Sequence, residues 1–299
     1  MTADFLQQMA ESSRERVRVA QAQRSSAEVL ALAKATAEPP ALVANAGGFD
    51  LIAEVKLRSP AAGQLKGGDE NVNARVTSYA SAGAAAISVL TEPSRFDGSM
   101  DHLQSAARAL APLRVPAMRK DFLVDPYQVI EARAAGAGGV LVILRMLARD
   151  QLDPLIEQAL TLNLFVLLEA FDEQDIGLAT SLVSKYAQAA NVDGRTRLLV
   201  GINCRDLATL KVVSGRLESL APLLPATVPR VAESGVGSAE DARRVAAVGY
   251  EFALVGSALM SAPDPTALAR DMLSAGRAIR SSPEAMAAAR AEAAYMRGR

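Results

Sequence analysis

Between residues 50 and 257 the chain repeats one pattern eight times: a short apolar run, then a longer stretch with apolar residues at helical spacing. The runs are 50–57 (DLIAEVKL), 84–91 (AAAISVLT), 116–121 (PAMRKD), 139–144 (GVLVIL), 165–170 (FVLLEA), 198–204 (LLVGINC), 230–234 (RVAES) and 252–257 (FALVGS). The amphipathic stretches between them include 71–81, 101–111, 126–135, 148–161, 173–187 and 239–248. A helix between two strands carries the chain back to the same end of the sheet, so the strands must pair in parallel. Eight such units in roughly 210 residues predict an α/β fold closed as a single (β/α)8 TIM barrel, whose usual size is about 250 residues. An open doubly wound sheet is the competing architecture, but the first strand and turn lack the Gly-x-Gly-x-x-Gly fingerprint of dinucleotide binding.

The segments flanking the repeat are helical in pattern. Residues 1–45 mix Phe5, Leu6, Met9, Val17, Val29 and Leu30 with Arg14, Glu15, Arg16 and Arg18, then reach Pro39-Pro40. They read as an N-terminal helical extension packed on a barrel domain of residues 46–275. Ser282-Pro283-Glu284 is a helix start, with Pro suited to the first helical position, so residues 276–299 read as a C-terminal helical tail.

Composition removes several classes of function. Lys plus Arg number 32 against 33 Asp plus Glu, so a net charge of −1 gives no electrostatic case for nucleic acid or an anionic membrane. Aromatics are 4% and Trp is absent, which argues against a platform for stacking bases. One cysteine excludes an internal disulfide, and one histidine, His102, excludes a His-rich metal site. The polar start MTADFLQQMAESSRERVRV lacks the apolar core of a secretory signal, and no apolar run reaches a membrane-spanning length of about 18 residues. A cytoplasmic enzyme or binding protein is the expectation.

Active residues of such barrels gather at the C-terminal ends of the strands. The polar residues here fall at those ends: Glu54 and Lys56 on the first strand, Lys120 on the third, Glu169 on the fifth, Asn203 and Arg205 on the sixth, Glu233 on the seventh. Because side chains alternate, Ile52, Glu54 and Lys56 share one face of their strand, as do Phe165, Leu167 and Glu169, and Leu199, Gly201, Asn203 and Arg205. Cys204 then faces the helices. For the first strand alone two readings stand, a catalytic pair or a solvated Glu–Lys pair on an edge strand. Only six basic residues are lysines, Lys34, Lys56, Lys66, Lys120, Lys185 and Lys211. A lysine amine can give up its proton where arginine cannot, so Lys56 and Lys120 in apolar surroundings point to acid–base work, or to chance usage. Glu233-Ser234-Gly235-Val236-Gly237 and Val255-Gly256-Ser257-Ala258 place glycines after the last two strands, where backbone N–H groups can approach a phosphate.

Taken in order, IAEVKLRSPAAG, ISVLTEPSRFDGS, RKDFLVDPYQVIEARAAGAGGVLVIL, LLEAFDE, GINCRDLATL, VAESGV and LVGSALM resemble the indole-3-glycerol phosphate synthase family of tryptophan biosynthesis, from about Phe49 to Met260. The resemblance implies a carbon–carbon lyase acting on 1-(2-carboxyphenylamino)-1-deoxyribulose 5-phosphate, with no metal or cofactor. It implies catalytic roles for Glu54, Lys56, Lys120, Glu169, Asn203 and Glu233. Ser59, Arg205 and Ser234 would orient the substrate, Phe96 and Phe122 would wall its anthranilate ring, and amides near Gly235, Gly256 and Ser257 would take its phosphate. Two positions depart from the family pattern: Ala61 stands where a serine is usual, and Cys204 where Asn or Ser is commoner. Two other functions fit the residues, a phosphosugar lyase or isomerase acting through a lysine Schiff base, and a non-catalytic phosphate-binding barrel.

Overall fold

Eight strands form the barrel: β1 (Asp50–Val55), β2 (Ala86–Leu90), β3 (Ala117–Lys120), β4 (Gly139–Ile143), β5 (Phe165–Ala170), β6 (Leu198–Asn203), β7 (Arg230–Glu233) and β8 (Phe252–Val255). In this computed structural model, which describes residues 2–282 other than 62, 67–69 and 208, together with 284 and 287, each strand pairs in parallel with its neighbours in sequence and β8 returns to β1. The first strand is therefore hydrogen-bonded on both sides, by β8 and β2, and all six of its residues are buried. That corrects the edge-strand reading, since Glu54 is only 2% exposed.

Alternation sorts the side chains into two cores. Leu51, Ala53, Val55, Ile87, Val89, Val140, Val142, Val166 and Leu168 point outward and join the inner faces of the helices in one large cluster. Ile52, Ala86, Met118, Leu141, Phe165, Leu167, Leu199, Val231, Phe252 and Leu254 fill the barrel itself. Cys204 follows the outward set and is 2% exposed.

The return helices begin where the sequence supplies a cap. The side chains of Asn71, Ser99, Asp172, Ser238 and Asp264 each accept a backbone N–H from the first turn of α3 (Val72–Ser81), α5 (Met100–Leu110), α8 (Glu173–Lys185), α11 (Ala239–Ala247) and α13 (Pro265–Arg280), respectively. For α6 (Pro126–Ala134), Asp125 and Gln128 form a reciprocal capping box with Pro126 at the first position. A short α4 (Pro93–Phe96) precedes α5, α7 (Arg149–Thr161) follows β4, and short α9 (Ala187–Ala190), α10 (Arg216–Leu220) and α12 (Ser257–Ser261) fill connections. Helix α13 seals the barrel back to its start: the Arg277 guanidinium pairs with Asp50 at 2.8 Å and donates to the Phe49 carbonyl at 3.0 Å.

Two helices precede the barrel, α1 (Thr2–Gln23) and α2 (Ser26–Ala35). α2 packs on α6, while Leu6 and Met9 of α1 join the interior cluster at the mouth. Leu42, on the strap that follows α2, joins the same cluster, and its carbonyl accepts the Thr196 N–H at 2.8 Å. The helix start expected at Ser282-Pro283-Glu284 and the tail to Arg299 lie, apart from 282, 284 and 287, outside the described residues. Most strands stop one or two residues short of the expected C-terminal ends: β1 at Val55 rather than residue 57, β8 at Val255 rather than 257. The residues released from the ladder, among them Lys56, Ser234 and Ser257, are free to turn into the mouth.

Candidate active site

The parity that buries Ile52, Met118, Leu167, Gly201 and Val231 inside the barrel puts Glu54, Lys120, Glu169, Asn203 and Glu233 one step higher on the same faces. The first four of these form the floor of an open-mouthed cleft of about 1050 Å³. Thirteen of the fourteen residues singled out in the sequence line it: Glu54, Lys56, Ser59, Phe96, Lys120, Phe122, Glu169, Asn203, Arg205, Ser234, Gly235, Gly256 and Ser257. Glu233 is the exception. It lies beneath the floor, 1% exposed, and meets the site through Lys120 and Glu169.

Lys120 is the centre of the charge arrangement. Its Nζ stands 3.4 Å from Glu54 Oε2, 3.4 Å from Glu233 Oε2 and 3.8 Å from Glu169 Oε2, carboxylates from three other strands. Burial would lower the amine's pKa, but the three carboxylates outweigh it and hold the pKa well above the ordinary lysine range. Glu54 bridges the two lysines, with Lys56 Nζ 2.6 Å from its Oε1. Burial alone would raise its carboxyl; Lys56 and Lys120 overcome that and bring it down to about 2. Glu233 goes the other way. Burial first, and the negative charge of Glu169 second, push its carboxyl well above the usual range, and its Oε1 has no hydrogen-bond partner among the described residues. One fold thus sets a carboxyl pulled down and a carboxyl pushed up against the same ammonium, a separation that assigns different work to each.

Asn203 organises the other side. Its Oδ1 accepts from the Ser234 hydroxyl at 2.9 Å and the Arg205 N–H at 3.0 Å, so its Nδ2 must face Glu169 Oε1, 3.3 Å away. Ser234 takes a positive φ of 63°, unusual for serine, followed by Gly235 at 72°. The Ser234 carbonyl accepts from Cys204 Sγ at 3.2 Å, and the thiol's pKa is pushed up to about 11 by burial. Cys204 therefore acts as packing and loop anchor.

Two glycines serve the charges by having no side chain. A Cβ on Gly256 would collide with Glu54 Oε1 and lie 2.9 Å from Lys56 Nζ; one on Gly201 would collide with Glu233 Oε1. Gly256 appears in the sequence only as a phosphate-loop glycine, so its service to the Glu54–Lys56 pair is visible only in three dimensions.

Several lining residues had no signal in the sequence. Phe5 and Leu6 come from α1, with Phe5 edge-on to Phe122 at 6.0 Å between ring centroids, while Phe96 lies 6.2 Å from Phe122 on another side. Leu90, Leu141, Ile143, Leu207 and Leu254 complete an apolar wall, and Asp121 also lines the cleft. The apolar start of α1 was the one hint available, and nothing in it says where the helix docks. Among the described residues no group of three or more His, Cys, Asp and Glu side chains is arranged to hold a metal ion.

A family model described as indole-3-glycerol phosphate synthase matches residues 6–272. An indole-3-glycerol phosphate synthase of Nocardioides sp. is 40% identical over 262 residues, covering 86% of this chain and 94% of that protein. Another, of Rhodococcus jostii, is 37% identical over 248 residues, covering 82% and 86%. Among solved structures, 3-hexulose-6-phosphate synthase from Salmonella typhimurium superposes with a TM-score of 0.55 at 14% identity, over 76% of this chain and 98% of that one, a likeness of fold alone.

Proposed function

This chain belongs to the indole-3-glycerol phosphate synthase family, and from that premise we propose how its own residues divide the chemistry. The enzyme closes the ring of 1-(2-carboxyphenylamino)-1-deoxyribulose 5-phosphate and releases carbon dioxide and water to give indole-3-glycerol phosphate, a step of tryptophan biosynthesis.

The observation that carries the assignment is the Lys120 ammonium at the cleft floor, held charged by three carboxylates. Ring closure forms a bond between the ring carbon that bears the carboxylate and the ketose carbon. As the π electrons attack, the ketose oxygen gains negative charge, and Lys120 donates its proton there. Carbon dioxide then leaves its bonding electrons to the ring, restoring aromaticity. Loss of water needs a second acid for the departing hydroxyl and a base for the adjacent proton, and Lys56 and Glu169 take those parts. Glu54 is the shared counter-charge of both lysines. Glu233 anchors Lys120 from below, and Asn203 orients Glu169.

The substrate's long axis follows the same floor. Phe96 and Phe122 flank the anthranilate ring, Ser59, Arg205 and Ser234 hold the chain of hydroxyls, and the phosphate sits over Gly235, Gly256 and Ser257, where a larger residue at Gly256 would already strike Glu54. Residues 1–45 serve as an extension that completes the mouth, ahead of a catalytic barrel over 46–275. Among the described residues no helix is long and apolar enough to cross a membrane, and with a small phosphosugar substrate we place the enzyme in the cytoplasm, with no nucleic-acid or membrane partner.

The assay is formation of indole-3-glycerol phosphate by wild type, Lys120→Ala and Glu169→Gln. Each variant is expected to lose about 10²- to 10⁴-fold in kcat while remaining folded. Turnover within a few-fold of wild type in a folded Lys120→Ala would remove Lys120 as the ring-closing acid.

A further inference from the structure

Asp121 follows Lys120 directly, and its side chain is fully buried. Its carboxylate is gripped by α1: Arg16 Nη1 donates to Oδ2 at 2.9 Å and Nη2 to Oδ1 at 2.8 Å. The Thr91 hydroxyl and Arg119 Nη2 add to Oδ2 at 2.7 and 3.1 Å, and the Phe122 N–H donates to Oδ1 at 2.8 Å. Three residues before Arg16, on the same face of the helix, the Ser13 hydroxyl donates to the Phe122 carbonyl at 2.5 Å and accepts from Gln128 Nε2 at 2.8 Å. Both backbone polar groups of Phe122 are thus tied, directly or through Asp121, to α1.

Stability does not explain this arrangement. Desolvating a charged pair costs about as much as the pairing returns, and apolar residues of similar size often do as well or better. Arg16 also leaves its Nε buried without a hydrogen-bond partner among the described residues, a further cost that a helix merely covering the barrel would not carry. What the pair does supply is geometry: it fixes the two peptide units between the Lys120 amine and the Phe122 ring.

We propose that Arg16 and Asp121 are positioning residues, by which α1 sets the placement of Lys120 and Phe122 against the substrate. This rests on the reading of Lys120 as the ring-closing acid. A misplacement of an acid by about 1 Å costs on the order of 100-fold in rate, so a residue outside the cleft can control the chemical step. Arg16 lies on α1 and belongs to neither of the two barrel cores.

The test uses the full chain with Arg16→Met, Arg16→Lys, Asp121→Asn and the Arg16→Met/Asp121→Asn double variant, read as kcat, KM and the solvent deuterium isotope effect on kcat, per folded molecule. Arg16→Met is expected to lower kcat about 10- to 100-fold with a much smaller change in KM. The isotope effect rises, because proton donation from a misplaced Lys120 becomes slow. Arg16→Lys recovers part of the loss, and the double variant is no worse than Asp121→Asn alone, since the two act as one unit. If Asp121→Asn does not fold, the Arg16 pair decides by itself. An Arg16→Met enzyme with unchanged kcat, or with lower kcat and an unmoved isotope effect, overturns the proposal. Lys120→Ala in the same assay separates the two ideas: its collapse beside an unaffected Arg16→Met removes positioning alone, whereas its survival removes the acid and the positioning together.

Discussion

The lower and upper halves of the barrel interior are built on the same strands with the same parity, yet they have opposite chemistry. Below, Ile52, Met118, Phe165, Leu199 and Phe252 pack into one apolar cluster. Further along the same faces stand Glu54, Lys120, Glu169 and Glu233: Glu54 and Lys120 two residues beyond Ile52 and Met118, a step of about 6–7 Å, Glu169 two beyond the buried Leu167 and Glu233 two beyond the buried Val231. The lower layer stabilises by removing apolar surface from water, about 25 cal/mol per Å². The upper layer costs desolvation of every charge and survives because each charge is another's partner. A site of this kind is a local expense carried by the layer beneath it, so changes in the two halves should separate activity from stability.

The largest separation is expected for Glu54→Gln, which removes the counter-charge of both lysines: kcat in the synthase assay should fall about 10²- to 10⁴-fold. The same variant carries a stability signature. Glu54's carboxyl sits at about 2 against an ordinary 4.5, so its contribution is complete above about 4.5 and is lost as pH falls through about 2. Urea titrations between those limits should show an acid loss in wild type that Glu54→Gln largely lacks; equal acid losses would mean the carboxylate is not held as described.

The converse is Phe165→Ala in the lower layer. Removing this ring, which is 2% exposed and packs against Gly139, should cost about 3–5 kcal/mol in urea unfolding while kcat per folded molecule stays near wild type. A comparable loss of kcat would show that the two layers are coupled. Gly256→Ala tests the border between loop and charge: its methyl must displace Glu54 or Lys56, and a kcat loss of about 10- to 100-fold is expected with little change in melting temperature.

The smallest effect carries the most telling sign. Glu233's carboxyl is pushed up, so whatever stability it lends is present below its ordinary value near 4.5 and is lost as pH rises through the elevated one. Glu233→Gln cannot ionise. Its melting temperature relative to wild type should therefore climb with pH even as its activity drops, and a difference that shrinks with pH would place the proton elsewhere.

Much of this was legible before the chain was folded. Strand and helix positions follow from local periodicity and caps such as Asp125 with Pro126, which act over a few residues. Which strand ends carry Glu54, Lys120 and Glu169 follows from the same parity. What stayed hidden involves partners distant in sequence. Arg16 reads as one of several charges on a surface helix until it meets Asp121, 105 residues away. Gly256 reads as a loop glycine until the Glu54–Lys56 pair occupies the space beside it.

By itself, then, the order of residues determined a closed barrel with acids and amines at one rim, because alternation and helical spacing are properties of neighbours along the chain. Only the tertiary structure decided that Lys120 would sit among three carboxylates, that the carboxyl of Glu233 would be pushed up beneath the floor, and that α1 would reach over to hold Asp121. Those outcomes depend on distances across the barrel and on how far each charge is removed from water, and both are set by closure of the ring of strands.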